Sequence, residues 1–427
     1  MKTRKQTALV ALAVIALASS CSKEQFDRNL YNEEVSYQFM VDNADPNHDW
    51  CLTKNATITV RASETSVYRV QLLTADPYTA AGAEIVAESA IFGGAETLTY
   101  TVPATTQTLY VEAYDREGYD LGCMPITYGT ESLNLKTADL TKSGTIYAAQ
   151  PQTFTYLYES SFPQPEDFDF NDMVLRISKR YPSIGNMYEI DLTVKLEACG
   201  AGELYAAAIQ LDGIKYDDIE KVEIVNGKPM DDGYPLNIYT LTKTEPTKIW
   251  QRGHNGNAVI RLFECAQWAL SRQTDYAGDI SIIHYNTTHE DVENQSATIS
   301  PVTATYRITF KDADVAHKLT FDCIDPFIIH QDANSGGIFE VHTYAHKFDL
   351  CISDIETNLR AYDNHVSWAL VIPKRDFRYP SEGMSICNYN KDTDETFGPY
   401  MGFAEWMKNR LGNRSWYQTL NYPSMVY

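Results

Sequence analysis

An acidic motif enters an apolar run near the middle of the chain, over residues 165–177, which read PEDFDFNDMVLRI. Its carboxylate and amide side chains repel one another unless they face water, bind turn backbone or share a cation. Calcium suits such a set, because it takes six to eight oxygen ligands. The candidate ligands are Asp167, Asp169, Asn171 and Asp172.

The motif does not form an EF-hand. Asp167, Asp169 and Asn171 alternate as at the start of an EF-hand loop. However, Asp172 stands where that loop needs glycine, and Ser178 stands where it needs a bidentate glutamate. The motif therefore supplies only part of a cation site.

The remaining ligands have to come from a distant part of the chain, and Asp363 and Asn364 are the candidates. A purely structural role is the alternative, in which the acidic and amide side chains cap turns and bind backbone amides. The sequence leaves both interpretations open.

The two phenylalanines of the motif alternate with the acids. If the chain is extended here, Asp167, Asp169 and Asn171 share one face of a strand, and Phe168 and Phe170 share the other. We therefore expect the acidic face to bind or be hydrated and the aromatic face to pack in a core.

Histidines form a second candidate cluster. His342 and His346 are four residues apart, and residues four apart share one face of a strand, so a zinc site is sterically possible. His330 and His365 lie nearby in the sequence, but no HExxH motif occurs. A structural role for His342 is the favoured interpretation.

Catalytic motifs are missing from the sequence. It contains no GxSxG nucleophile elbow and no glycine-rich phosphate loop. Paired carboxylates could cleave glycosides if they are held about 5–10 Å apart. The 29 tyrosines and 6 tryptophans could offer a stacking surface for glycans or proteins. We expect no enzyme, with a carbohydrate-active enzyme or glycan-binding protein as the alternative.

The N-terminus has the layout of a secretory signal over residues 1–20. Lys2, Arg4 and Lys5 precede an apolar run that is too short to span a bilayer, and small residues lead into Cys21. This junction resembles a bacterial lipobox, so we expect lipidation of Cys21 and a tether over residues 21–45. The alternative is an ordinary signal peptide followed by a structural cysteine. The anchor predicts an outer-membrane lipoprotein on the cell surface or the periplasmic face.

Charge and cysteine content exclude other classes of protein. The formal charge is −22, and loss of the three basic residues of the signal moves it to −25, which argues against nucleic acid as a partner. The cysteines after Cys21 form no CxxC pair, which argues against a zinc ribbon. Cys51 and Cys123 could form a disulfide, or each could be a buried free thiol.

The periodicity is mainly that of strands. Alternating runs with turns between them predict an immunoglobulin-like sandwich over residues 46–130, a linker over 131–149 and a larger β domain over 150–427. Within the larger domain, residues 214–300 read as loop insertions. A helix is predicted over residues 402–411, closed by Gly412.

Several separated segments of the larger domain share the motifs of one family. The segments are FPQPEDFDFNDMV at 162–174, LEACGAG at 196–202, DPFII at 325–329, FEVH at 339–342, WALVIP at 368–373, FAEW at 403–406 and WY at 416–417. In this order they resemble the LruC-domain lipoproteins of Bacteroidota. The resemblance covers residues 150–427 and implies a β-rich domain without an assigned reaction.

Taken together, the sequence predicts an all-β protein. An immunoglobulin-like sandwich is followed by a larger sandwich or jelly-roll-like domain with loop insertions and a short C-terminal helix. The predicted role is a lipid-anchored binding or structural module with a protein or glycan ligand, stabilised by calcium.

Overall fold

The computed structural model describes residues 45, 47–91, 94–159, 167–183, 185–202, 204–230, 249–271, 284–288, 296–297, 299–331, 338–343, 367–390 and 395–427. The predicted signal and Cys21 lie outside these residues, as does the tether apart from Asp45. Asp363, Asn364, His346 and His365 also lie outside them.

The first sandwich consists of eight strands in two sheets. Its strands are β1 (Thr53–Ala62), β2 (Arg69–Leu73), β3 (Glu84–Ala90), β4 (Ala95–Pro103), β5 (Thr108–Tyr114), β6 (Asp120–Thr127), β7 (Ser132–Leu135) and β8 (Gln150–Pro151). One sheet has the order β4-β1-β7 and the other β6-β5-β2-β3-β8. Alternate apolar side chains of the two sheets, such as Ile58, Val70 and Val111, form one buried core between them.

The second sandwich contains the remaining elements. They are β9 (Thr153–Tyr158), β10 (Met173–Arg180), β11 (Glu189–Ala198), β12 (Ala206–Lys215), β13 (Ile219–Asn226), β14 (Trp250–Arg252), β15 (Asn257–Phe263), α1 (Ala266–Ser271), β16 (His284–Tyr285), β17 (Ser296–Ala297), β18 (Val302–Phe310), α2 (Ala313–Ala316), β19 (Ile324–Gln331), β20 (Ile338–Val341), β21 (Ala369–Ile372), β22 (Asn388–Asn390), β23 (Glu395–Phe397) and α3 (Gly402–Lys408).

Two antiparallel sheets enclose the core of the second sandwich. The larger sheet has the order β13-β18-β11-β10-β9-β21, and the other has the order β14-β15-β12-β19-β20. Side chains from both sheets and from α3 form one continuous cluster of buried apolar residues. The protein is all-β with a short C-terminal helix, as the sequence predicted.

Two predictions of local structure were wrong. Residues 214–300 contain β13 and β15, which are full members of the two sheets, and not only loop insertions. Helix α3 ends at Lys408 rather than Leu411, because Asn409 adopts an extended backbone with φ −149°. Leu411, the last residue of the predicted helix, is 72% exposed.

The predicted linker over residues 131–149 contributes to the first sandwich. Strand β7 pairs in parallel with β1, with Val60 opposite Leu133. Thr141 forms an isolated bridge with Cys123. Cys123 and Cys51 are free thiols, so the possible disulfide between them is not formed.

The residues just before the first sandwich belong to the core of the second. Trp50 packs at 5.4 Å from Trp406 of α3 and stacks on His48 at 4.1 Å. The ring nitrogen Nε2 of His48 bonds to the carbonyl of Trp406 at 2.9 Å, and the amide of Asp45 donates to the carbonyl of Met407 at 2.8 Å. The predicted domain boundary at residue 46 therefore differs from the packing boundary.

The part of the chain that the structure describes holds no helix with the length and apolar character needed to cross a membrane.

Replacing Trp50 with alanine tests this packing. We expect Trp50→Ala to lower the free energy of unfolding by about 3–5 kcal/mol, because a buried tryptophan leaves a cavity. The measurement is denaturant unfolding followed by tryptophan fluorescence and circular dichroism. Tyr119→Ala is the control, since Tyr119 is 72% exposed. A loss below about 1 kcal/mol for Trp50→Ala would show that this segment contributes little to the second sandwich.

Candidate metal site

Within the acidic motif, residues 167–172 form a turn rather than a strand. Phe168 has φ 53° and Phe170 has φ 56°, which places both in the left-handed region. The extended backbone expected from the alternation was therefore wrong, and β10 begins only at Met173. Left-handed backbone at a bulky residue costs about 1–3 kcal/mol, so surrounding contacts must hold this turn.

Both aromatic rings of the turn are buried in the core of the second sandwich, as predicted. Phe168 lies 6.4 Å from Trp368, and Phe170 lies 6.5 Å from Phe403. The backbone is also fixed, because the amide of Ile386 donates to the carbonyl of Phe168 at 3.0 Å. These contacts offset the strain of the turn.

Asp169, between the two phenylalanines, is drawn into the interior with them and is only 2% exposed. Its carboxylate accepts the amide of Asn171 at 3.0 Å and the amide of Gly383 at 2.8 Å. Gly383 itself has φ +70°, a conformation that favours glycine. Asn171 is buried as well, whereas Asp167 is half-buried, so of the two expected roles of this face hydration is largely lost and binding stays a prediction.

Three carboxylates meet at this turn. The ligand oxygens of Glu159, Asp167 and Asp169 all lie within 4.8 Å of one another. Glu159 follows β9 and is 1% exposed. One of its oxygens accepts the amide of Phe170, whereas Oε2 has no hydrogen-bond partner.

The electrostatics of this group are unfavourable for ionised acids. Burial, reinforced by the neighbouring carboxylates, raises the pKa of Glu159 and Asp169 well above their usual range. Burial and the Glu382 carboxylate raise the pKa of Asp167. Without a compensating positive charge, each of these groups is therefore stabilised in its protonated form.

Asn171 adds a further oxygen beside the group. It is fully buried, its Nδ2 donates to the carbonyl of Pro380 at 3.2 Å, and its Oδ1 has no hydrogen-bond partner. Gly200 packs against this amide, and its own amide donates to the carbonyl of Asn171 at 3.0 Å. The turn and the end of β11 are thereby joined.

Glu382 and His284 form the half-exposed rim of the site. Thr287 Oγ1 donates to Glu382 Oε2 at 3.0 Å, and His284 Nδ1 lies 3.4 Å from the same oxygen. His284 Nδ1 also bonds to the carbonyl of Gly200. Contact with Glu382 raises the pKa of His284, although burial acts in the opposite direction.

The structure unites part of the predicted ligand set. Asp167 and Asp169 are close together, Asn171 lies beside them, and Asp172 is buried nearby but outside the close group of three carboxylates. Asp363 and Asn364 lie outside the described residues.

The sequence analysis missed Glu159 and Glu382 as members of the site. The sequence pattern could have pointed to Glu159, because it is a single acid directly after TFTYLY, a strand that is buried at every position. Glu382 had no such signal, since its position depends on the packing of a distant loop.

His342 is a structural histidine in a charged network. Its Nδ1 lies 2.5 Å from Asp325 Oδ2, its Nε2 lies 3.3 Å from Glu340 Oε2, and its ring stacks on Phe327 at 4.3 Å. Both ring nitrogens therefore face carboxylates, which favours an imidazolium over a zinc ligand. Burial acts to lower the pKa of His342, but the two carboxylates outweigh it and raise the pKa to about 9.

This network predicts a loss of stability in alkaline solution. The pKa of His342 is about 9 in the folded chain, against a usual value of 6.5. Its contribution is therefore complete below pH 6.5 and disappears as the pH rises through 9. NMR titration of the imidazole and urea unfolding across this range check the prediction. His342→Gln should remove this part of the pH dependence, and a titration midpoint at or below 6.5 would contradict the assignment.

Comparison with known proteins gives a fold and a family. A solved protein from Bacteroides ovatus, described as a lipoprotein, is 16% identical, matches 85% of this chain and 99% of its own, and has a TM-score of 0.51. The collagen-binding domain of surface protein RspB from Erysipelothrix rhusiopathiae is 7% identical, matches 74% and 83% of the two chains and has a TM-score of only 0.18. No curated protein matches the chain.

The family match begins later than the resemblance noted in the sequence. The model of the family DUF4842, a domain of unknown function, matches residues 185–417, whereas the resemblance to LruC-domain proteins began at residue 150. The LruC assignment itself stays a prediction. Because the family model covers more than half of the chain, the protein belongs to the DUF4842 family.

Proposed function

We propose that the chain is a lipid-anchored binding or structural module of the cell envelope, without catalytic activity, whose second sandwich is stabilised by calcium at Glu159, Asp167 and Asp169. Its anchor is Cys21, and its location is the outer membrane, on the cell surface or the periplasmic face. Its ligand is a protein or a glycan.

One observation carries the calcium proposal. Three carboxylates converge within 4.8 Å, two of them are buried, and Glu159 Oε2 has no hydrogen-bond partner. An uncompensated buried charge costs several kcal/mol, and a divalent cation compensates it directly. Oxygen ligands at this density suit calcium, with water completing the coordination.

A cation at this point would join separate parts of the second sandwich. Glu159 ends β9, Asp167 and Asp169 belong to the turn before β10, and Asp169 accepts the amide of Gly383 from a third segment. Calcium would hold these segments together, and it would bind only to the folded chain. Calcium affinity would therefore appear as folding stability.

The lipid anchor rests on the signal-like N-terminus and Cys21. The tether joins the described fold at Asp45, whose backbone is bound to α3. The structural similarity to a Bacteroides ovatus protein described as a lipoprotein supports this part of the proposal.

Calcium should raise the melting temperature of the purified chain. At a concentration about 100 times its Kd, calcium adds about 2.7 kcal/mol of stability. The effect should be larger at pH 7.5 than at pH 5, because the raised pKa values of Glu159 and Asp169 keep them protonated in acid and protons compete with the metal. Thermal unfolding with calcium and with EDTA, at both pH values, is the measurement.

Glu159→Gln should have opposite effects with and without calcium. Its amide replaces the oxygen that lacks a partner and can donate to Asp167 or Asp169, so the metal-free chain should melt higher than the wild type. The increase produced by calcium should disappear. Glu220→Gln, at an exposed position of β13, is the matched control and should keep that increase. Equal melting with calcium and EDTA in the wild type would end the calcium proposal.

An enzyme acting on glycans is the alternative that the sequence left open. The same acids would then serve as general acid and base, which requires two carboxylates about 5–10 Å apart in an accessible cleft. Hydrolysis of a glycan by the purified chain, abolished by Glu382→Gln, would favour this alternative over a binding module.

Lipidation should depend on Cys21 alone among the cysteines. In a host that processes bacterial lipoproteins, the wild-type chain should incorporate labelled palmitate and partition into detergent. Cys21→Ser should lose both properties, whereas Cys51→Ser should keep them, because Cys51 contacts Thr53 inside the fold. A mature chain that is cleaved at the same place but carries no acyl group would contradict the anchor.

A further inference from the structure

We propose that the acidic centre binds a second divalent cation, held over Gly200 by Asn171 Oδ1 and the carboxylate of Glu382. This inference rests on the calcium site proposed at Glu159, Asp167 and Asp169, and it makes that site a two-cation centre.

The first support is the buried amide of Asn171. The residue is 0% exposed, and its Nδ2 is used by the carbonyl of Pro380, which fixes the orientation of the amide. Its Oδ1 therefore points away from Pro380 and has no hydrogen-bond partner. A buried acceptor without a partner costs about 1–3 kcal/mol, which a bound cation would recover.

The second support is the convergence of two oxygens on Gly200. A Cβ atom at this position would lie 2.0 Å from Asn171 Oδ1 and 2.7 Å from Glu382 Oε2. The two oxygens are thus no farther apart than the sum of these distances. Two calcium–oxygen bonds of 2.3–2.6 Å can span that separation.

Glu382 is already held in place for this role. Thr287 Oγ1 donates to its Oε2 at 3.0 Å, and its backbone amide donates to the carbonyl of Thr287 at 2.6 Å. His284 Nδ1 lies 3.4 Å from the same Oε2 and also bonds to the carbonyl of Gly200. A carboxylate fixed in this way loses little conformational freedom when it binds an ion.

Charge explains why a second ion accompanies the first. Glu382 directly precedes Gly383, whose amide donates to Asp169 Oδ2 at 2.8 Å, so the carboxylate of Glu382 lies close to the first site. Asp172 is buried beside Glu159, Asp167, Asp169 and Glu382, so one divalent ion alone would leave most of the charge of these acids uncompensated when they are ionised. The ligands at the second position are oxygens, so hard cations such as calcium are the chemical class expected there.

The number of bound ions tests the proposal. The purified full chain is depleted of metal with EDTA, returned to metal-free buffer and titrated with calcium by calorimetry, and native mass spectrometry counts the ions. We expect two ions in the wild type and one in Glu382→Gln, which removes the charge but keeps the shape. Gly200→Ala should also bind one, because its Cβ displaces both oxygens. Glu220→Gln, the exposed control, should bind two.

Each result decides between the two sites. Two ions in the wild type and one in Glu382→Gln support the second site. One ion in the wild type, lost in Glu159→Gln, overturns the second site and leaves the proposed function intact. No bound ion overturns both. Two ions that persist in Glu382→Gln place the second ion elsewhere on this acidic chain and also overturn the proposal. If Gly200→Ala does not fold, Glu382→Gln decides, because Glu382 is half-exposed and tolerates substitution.

Discussion

The burial of Phe168 and Phe170 is the constraint on which the acidic centre depends. Each ring gains about 1.5–3 kcal/mol by leaving water, and together these gains offset two left-handed residues. Asp169 stands between the rings and cannot reach solvent while both are buried. The aromatic core therefore places a carboxylate in the interior, next to Glu159. The raised pKa values of these acids follow mainly from this burial, and repulsion from the neighbouring carboxylates adds to it.

The same turn organises the surrounding loops. Its backbone accepts from Ile386 and Gly200 donates to it, so segments far apart in the sequence close around the acids. Hydrogen bonds satisfy most of the polar atoms, but they leave Glu159 Oε2 and Asn171 Oδ1 without partners. Both oxygens lie beside buried carboxylates, and the proposed cations would give each of them a partner.

The sequence predicts a strand where the alternation of apolar and polar residues matches the burial of the side chains. Strands β1 and β5 show the alternation that predicts the first sandwich, whereas β3 reads EIVAESA, with small and acidic residues at buried positions, and lacks that signal. The composition identifies the acidic motif but does not predict its backbone conformation. Alternating aromatic and acidic residues suit an extended strand as well as a left-handed turn. Glu382 is set by tertiary packing, which local periodicity does not encode.

Contacts between the two sandwiches change how a membrane anchor would act on the protein. Arg375 of the second sandwich bonds to Glu84 of the first at 3.1 Å, and Gln152 donates to the carbonyl of Thr101 at 2.8 Å. Burial raises the pKa of Glu84 to about 7, so this contact is sensitive to pH near neutrality. Asp45, the first residue of the described fold, is hydrogen-bonded to α3 of the second sandwich rather than to the first sandwich. Force from the proposed anchor would therefore reach the second sandwich first, where bound cations would resist the separation of its segments.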